Sequence, residues 1–252
     1  MPRAKVAYQL HLQHTTIPSL LDGAHRLDEL GVDAILASDH MFPFSGSPDG
    51  PTFECNTVLA AIAMVTERAR IGALVNGNSY RNPELLAFMT GTIDHLSGGR
   101  AILGVGAGWA RRDYEQYGYE FGTVQTRLRD FGEALPRIQA RLKKLTPPPV
   151  GPVPILIGGG GERVTLRLVA QYADMWHGFG DAEQWGRKNR ILDEWCEKVG
   201  RDPKAITRMC GAAGFDDREL DALIEAGAQT VVMEGDDPVD FSRVERLLKR
   251  YS

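Results

Sequence analysis

Ser38-Asp39-His40 follows the apolar run Ala34–Ala37 and is the strongest acid–base candidate in the chain. An imidazole beside a carboxylate can have its proton position fixed, and histidine suits proton transfer near neutral pH. The alternative is a histidine that fills a crowded position and is satisfied by a backbone carbonyl. His11, His14 and His177 also stand at the ends of apolar runs, so four of the six histidines share this placement. A second feature is Gly158-Gly159-Gly160-Gly161, after the apolar residues 155–157. Val164, Leu168 and Tyr172 then recur at helical spacing, which predicts a helix over 162–172. Bare amides at a helix N-terminus approach a phosphate closely, and the helix dipole favours the anion. A tight turn would need only one or two glycines. The loop fits neither the Walker nor the dinucleotide pattern. His11, Asp39, His40 and His177 are metal-ligand types, but the positions around them are aromatic and amide, so no metal is expected.

The elements that position these residues alternate regularly. Strands are predicted at 6–10, 34–37, 71–75, 101–105, 155–157, 174–179, 206–211 and 230–233. A helical pattern follows each one. Asn82-Pro83 opens one helix as cap and first turn, Asp237-Pro238 caps the last, and Pro136 kinks the helix expected over 126–145. Residues 109–125 are expected to be a long loop, and 146–154 a stiff proline linker. Eight strand–helix units imply a parallel sheet, and about 250 residues suit an α/β fold of the (β/α)8 TIM-barrel type, a single domain over 1–252. A doubly wound open sheet is the alternative. In a barrel the chemistry lies at the C-terminal ends of the strands. There the sequence places Gln9 and His11, then Asp39 and His40, then Asn76, then Gly106-Ala107-Gly108-Trp109, the four glycines, and Trp176-His177. Phe42, Phe44, Phe53, Trp109, Trp176 and Phe179 would line the mouth.

Composition narrows the class. The chain is 43% hydrophobic and 25% charged, ordinary for a globular domain. Its net charge is −4 and it has no Lys/Arg block, which argues against a nucleic-acid partner. No apolar run approaches the ~18 residues of a membrane span. Cys55, Cys196 and Cys210 are scattered and odd in number, and residues 1–3 lead into a strand without a signal-type core. A reducing, cytoplasmic location is therefore expected.

Several motifs carry a family resemblance: Ser38-Asp39-His40 with Phe42-Pro43, Ile71-Gly72-Ala73-Leu74-Val75, Tyr80-Arg81-Asn82-Pro83, Leu96-Ser97-Gly98-Gly99-Arg100, Gly104-Val105-Gly106-Ala107-Gly108-Trp109 and the glycine loop with Thr165-Leu166-Arg167. They run in order over nearly the whole chain. The chain resembles the luciferase-like monooxygenase superfamily, in its coenzyme F420-dependent oxidoreductase branch. The resemblance implies a (β/α)8 barrel, expected as a homodimer, that binds F420, with FMN as the alternative cofactor. The deazaflavin ring would cross the strand ends, its phosphate near Gly158–Gly161 and the Gly106, Ala107, Gly108 turn. Asp39 and His40 match positions that contact the ring or the substrate. Leu74–Val75 matches a non-proline cis peptide behind the ring, and Asn76 and His177 join the expected cofactor set. His11, Phe44, Trp109 and Trp176 would shape a small-molecule substrate cavity.

The implied reaction is hydride transfer between the deazaflavin C5 and a carbonyl, enone, imine or alcohol, with His40 moving the proton. An FMN-dependent monooxygenase and a catalytically silent cofactor-binding barrel are the competing readings. Sugar-phosphate-oxidising relatives carry a Glu at the position of Trp109, which argues against such a substrate. Only residues 146–154 stand where many relatives have an insertion.

Overall fold

The computed structural model describes residues 3–251, so Met1, Pro2 and Ser252 lie outside it. Its strands are β1 (Lys5–Leu10), β2 (Ala34–Ala37), β3 (Arg70–Ala73), β4 (Asn76–Gly77), β5 (Ala101–Gly106), β6 (Ile155–Gly158), β7 (Met175–Gly178), β8 (Thr207–Gly211) and β9 (Thr230–Gly235). The helices are α1 (Ile17–Leu30), α2 (Cys55–Val65), α3 (Pro83–Ser97), α4 (Arg111–Gln116), α5 (Val124–Leu142), α6 (Thr165–Tyr172), α7 (Ala182–Val199), α8 (Asp217–Glu225) and α9 (Phe241–Tyr251). All strand pairings are parallel. β1 pairs with both β2 and β9, and the order runs through β8, β7, β6 and β5 back to β3, so the sheet closes on itself. β3 and β4 are two pieces of one barrel strand, separated at Leu74–Val75, whose peptide bond is cis as the resemblance implied. The molecule is the expected closed eight-stranded α/β barrel, and the open-sheet alternative is excluded.

Burial explains the strand sequences. Every residue of Ala34–Ala37 is buried, because a barrel strand faces the interior on one side and the helices on the other. Inside the barrel, Ala7, Leu36, Leu74, Ile102, Leu156, Met209 and Val232 pack together. The larger cluster, which includes Ile35, Leu103, Ile157 and Trp176, lies between strands and helices. Glycine is required at Gly104, where a Cβ would strike the Ala73 carbonyl and push β3 off β5.

Three local expectations need correction. Residues 109–125 are not loop throughout: α4 occupies Arg111–Gln116, and Thr123 caps α5 in a reciprocal box with Thr126. The helix expected from residue 162 begins at Thr165, so the glycine loop extends through a turn. The last helix starts at Phe241, where Asp240 accepts the Arg243 N–H (3.0 Å); Asp237 instead accepts from Thr15 and Ser19. α5 runs through Pro136.

The Leu-Ser-Gly-Gly-Arg motif serves the fold rather than the site, since it precedes β5 at the opposite end of the barrel. Arg100 donates to the carbonyls of Ser97, Ala69 and Thr66. Asp94, buried completely, accepts from Ala101 N (3.3 Å), Val150 N (2.7 Å) and Gly151 N (3.1 Å). That carboxylate is what fixes the proline-rich segment against α3. Asp94→Ala leaves these amides without an acceptor and should destabilise the protein by about 2–4 kcal/mol. Urea denaturation checks this; a loss below about 0.5 kcal/mol, the size of an ordinary surface substitution, would contradict it.

Candidate active site

A cavity of about 470 Å³ opens at the C-terminal ends of the strands. Its lining includes Asp39, His40, Phe44, Leu74, Val75, Asn76, Gly106, Ala107, Gly108, Trp109, Gly158, Gly159 and His177, so most of the expected residues meet there. The size is within the usual range for small-molecule and cofactor sites.

His40 is oriented by a residue that sequence reasoning missed. Its Nδ1 lies 2.8 Å from Asp113 Oδ2. Asp113 also accepts from Tyr80 Oη (3.0 Å) and Phe42 N (3.2 Å), and is 1% exposed. Burial and the adjacent Asp113 raise the Tyr80 pKa, so the phenol stays protonated and donates. An acceptor-only carboxylate at Nδ1 places the proton there and leaves Nε2 as the ring's free acceptor. Phe44 and Trp109 flank the ring at 4.8 and 5.1 Å between centroids. Asp113 sits on α4, a six-residue helix too short to show a periodic signal.

Asp39 does not partner its neighbour. It accepts from Gly77 N (3.0 Å) and from Arg81 Nη1 (2.7 Å) and Nη2 (2.9 Å). Consecutive side chains on an extended chain point to opposite sides, so Asp39 and His40 cannot share one partner. Arg81 also binds Glu54. Burial pushes the Glu54 pKa up, but bonds from Thr57 and Arg81 outweigh it and bring it to about 2. Asn76 bridges Gly104 O and Asn56, and Gln9 donates to Leu74 O, so the interrupted strand is held from both sides.

The glycine loop borders the cavity. A Cβ at Gly106 or Gly158 would come within 2.7 or 3.1 Å of Val75, whose side chain lies against both. Gly159 (φ 120°) donates to His177 O, while the Gly160 and Gly161 amides have no protein acceptor among the described residues. Gly160 and Gly161 flank the cavity lining rather than form it; Thr165, a residue not anticipated, closes that edge. Lys188 packs its side chain over Gly160.

Beyond the glycine loop the cavity lining continues to His177 on β7 and Glu234 on β9. His177 is 1% exposed, and neither ring nitrogen has a partner. Burial lowers its pKa from 6.5 to about 4, so the ring is neutral at neutral pH. Glu234, absent from the expected set, lines the same cavity. Two expected lining residues are elsewhere. Trp176 is fully buried outside the barrel, stacked on Trp185 at 5.3 Å and donating to Gly159 O, because it alternates with His177 along β7. His11 stands behind Phe44 (4.8 Å) and pairs with Asp236 (3.0 Å). Burial would lower the His11 pKa, but Glu234 and Asp236 outweigh it and raise it. His14 packs against Gly50 and Ser45 O, away from the cavity.

A closed barrel with acid–base side chains gathered at the C-terminal ends of its strands defines a (β/α)8 enzyme. The luciferase-like monooxygenase family model matches residues 4–232, and the chain belongs to that family. An F420-dependent glucose-6-phosphate dehydrogenase of Amycolatopsis mediterranei (strain U-32) is 30% identical over 186 residues, 67% of this chain and 54% of that one. The chain therefore spans about half the length of that relative. A solved F420-dependent secondary alcohol dehydrogenase, in complex with an F420-acetone adduct, has a TM-score of 0.87 over 99% of both chains at 15% identity. The oxygenating constituent of 3,6-diketocamphane monooxygenase from Pseudomonas putida, in complex with FMN, has a TM-score of 0.66 at 14% identity, over 84% of this chain and 67% of that one. At such identities the likeness is one of fold. No helix among the described residues is long and apolar enough to cross a membrane.

His177 generates a stability prediction. Its folded pKa of about 4 lies below the ordinary 6.5, so the unfolded chain binds the extra proton first. The stabilisation from keeping it neutral is complete above pH 6.5 and is lost as pH falls toward 4, a change of about 3 kcal/mol. Melting temperatures across that window should fall more steeply for the parent than for His177→Gln. Parallel curves would contradict the buried neutral ring.

Proposed function

We propose that the protein is a coenzyme F420-dependent oxidoreductase that moves a hydride between the deazaflavin C5 and a small or medium carbonyl, enone, imine or alcohol. The observation that carries this reading is His40: Asp113 holds its Nδ1, and its other nitrogen is left to serve the cavity above Leu74–Val75. The residues fit the cofactor. Buried His177 borders the cavity with neither ring nitrogen partnered by the protein, and the free Gly160 and Gly161 amides offer hydrogen bonds to a phosphate. Bound there, the deazaflavin would supply the hydride chemistry.

The chain's own residues do the rest. His40 gives or takes the proton at the substrate heteroatom. Phe44 and Trp109 flank the imidazole and limit its tilt. Gly158, Gly159 and Val75 form the cofactor's bed, Asp39 and Asn76 keep its frame in place, and Lys188 adds a cation beside the phosphate loop. Two relatives that bear F420 in their names support the choice of cofactor. The FMN-bound neighbour favours the competing monooxygenase reading. A cytoplasmic homodimer belongs to the same proposal. The buried free thiols of Cys55, Cys196 and Cys210 support a reducing compartment, and exposed Met64, Leu85 and Phe88 on α2 and α3 support a second copy.

Fluorescence titration with F420 and FMN side by side tests the reading. F420 should bind at least about tenfold more tightly, roughly 1.4 kcal/mol. Gly160→Asp should remove most of that affinity while the melting temperature holds, because Gly160 is not in the left-handed region and meets only the flexible Lys188 side chain. Equal or tighter FMN binding would overturn the F420 assignment. A folded Gly160→Asp protein that binds F420 like the parent would move the phosphate elsewhere.

A further inference from the structure

The cavity contains one carboxylate that no Lys or Arg answers and that only a histidine, at the edge of ion-pair distance, approaches. Asp39 is saturated by Arg81 and Gly77. Glu234 is not: its nearest cation-forming group is His11 Nε2 at 3.9 Å, beyond a hydrogen bond, and that ring is already committed to Asp236 through Nδ1. No Lys or Arg lines the cavity among the described residues. The His11 ring lowers the Glu234 pKa, so the carboxylate is charged at neutral pH.

The surroundings of Glu234 are aromatic and neutral. Phe179 stands edge-on to His177 at 4.6 Å, and Phe44 stands edge-on to His11 at 4.8 Å. His177, neutral and almost wholly buried, borders the same cavity, and neither of its ring nitrogens has a protein partner among the described residues. An anion in such a cavity is costly unless a cation or donor meets it, and aromatic faces favour a cation further. A group that carries both positive charge and N–H donors satisfies Glu234 and the aromatic walls together. A neutral carbonyl or alcohol leaves Glu234 with His11 at 3.9 Å as its one counterpart among the described residues.

We propose that Glu234 is a specificity-determining residue and that the substrate carries a cationic nitrogen, a protonated amine or an iminium, held by Glu234 against Phe44 and Phe179. This rests on the oxidoreductase reading above and narrows its substrate class to the amine–imine pair. The same carboxylate could instead receive an N–H of the cofactor, and the experiment separates the two sources.

The probes are cyclohexylamine, protonated at neutral pH, and cyclohexanol, of similar size and uncharged. Calorimetry is run on the protein alone and on protein saturated with F420. The parent should bind the amine at least about tenfold more tightly than the alcohol, equivalent to roughly 1.4 kcal/mol. In Glu234→Gln the preference should fall to within about twofold. Glu183→Gln, which removes an exposed carboxylate on α7 away from the cavity, should keep it. Should Glu234→Gln fail to fold, Glu234→Asp withdraws the charge by one methylene and should weaken amine binding alone. Equal binding of both probes by the parent, or an undiminished preference in either Glu234 variant, would overturn the proposal. A Glu234→Gln protein that loses F420 affinity but keeps its amine preference would assign the carboxylate to the cofactor, and so also overturn it. Failure of the parent to bind F420 would count against the oxidoreductase reading alone, because the amine arm on the free protein still reports on Glu234.

Discussion

The site depends on one buried carboxylate. Asp113 receives His40 from the end of β2, Tyr80 from the connection after β4, and the Phe42 amide from the loop between them. Two separate segments, residues 40–42 and the turn at Tyr80, are thus tied to one point on α4. A carboxylate taken out of water is costly unless its oxygens are satisfied, and here three groups satisfy them. Displacing either of these segments leaves a buried oxygen short of a donor. The arrangement gives His40 a fixed ring orientation without using any part of a ligand to set it.

Around that point the barrel divides its charges. One wall has Asp39, Arg81 and Glu54 in a closed ion-pair network that frames the interrupted strand at Leu74–Val75. On β9, the other neighbour of β1, Glu234 has only a histidine near it. The first network is saturated and therefore structural, although Asp39 touches the cavity. The second has bonding capacity left over. The glycine loop is similar: Gly159 is committed to His177, while Gly160 and Gly161 keep free amides. Capacity that the fold does not use marks where a ligand has something to gain.

Much of this was legible in the sequence. Strand ends could be located because barrel strands are continuous apolar runs, and a parallel barrel puts those ends on one face. Hence His40, Asn76, His177 and the glycines were found from order alone, and the motifs carried the family. The partner of His40 was misjudged because adjacency in sequence is not adjacency in space. Asp39 and His40 point apart, and Asp113 arrives from a segment 73 residues away. That segment read as loop because six helical residues show less than two turns of periodicity. Trp176 was misplaced by one position, which on a strand reverses the face. Glu234 escaped notice because it falls past the apolar run of β9, and nothing in its neighbours marks it as facing the cavity.

The account stands or falls on the state of the His40 ring. Nitrogen-15 NMR of imidazole-labelled protein reads it directly, in the parent and in Asp113→Asn. In the neutral ring of the parent, Nδ1 should resonate as a protonated, pyrrole-type nitrogen and Nε2 as an unprotonated, pyridine-type one. Asp113→Asn should erode that preference while the fold persists. A parent ring with its proton on Nε2, or one averaged equally between both nitrogens, would mean that Asp113 does not hold His40, and the central claim would fail.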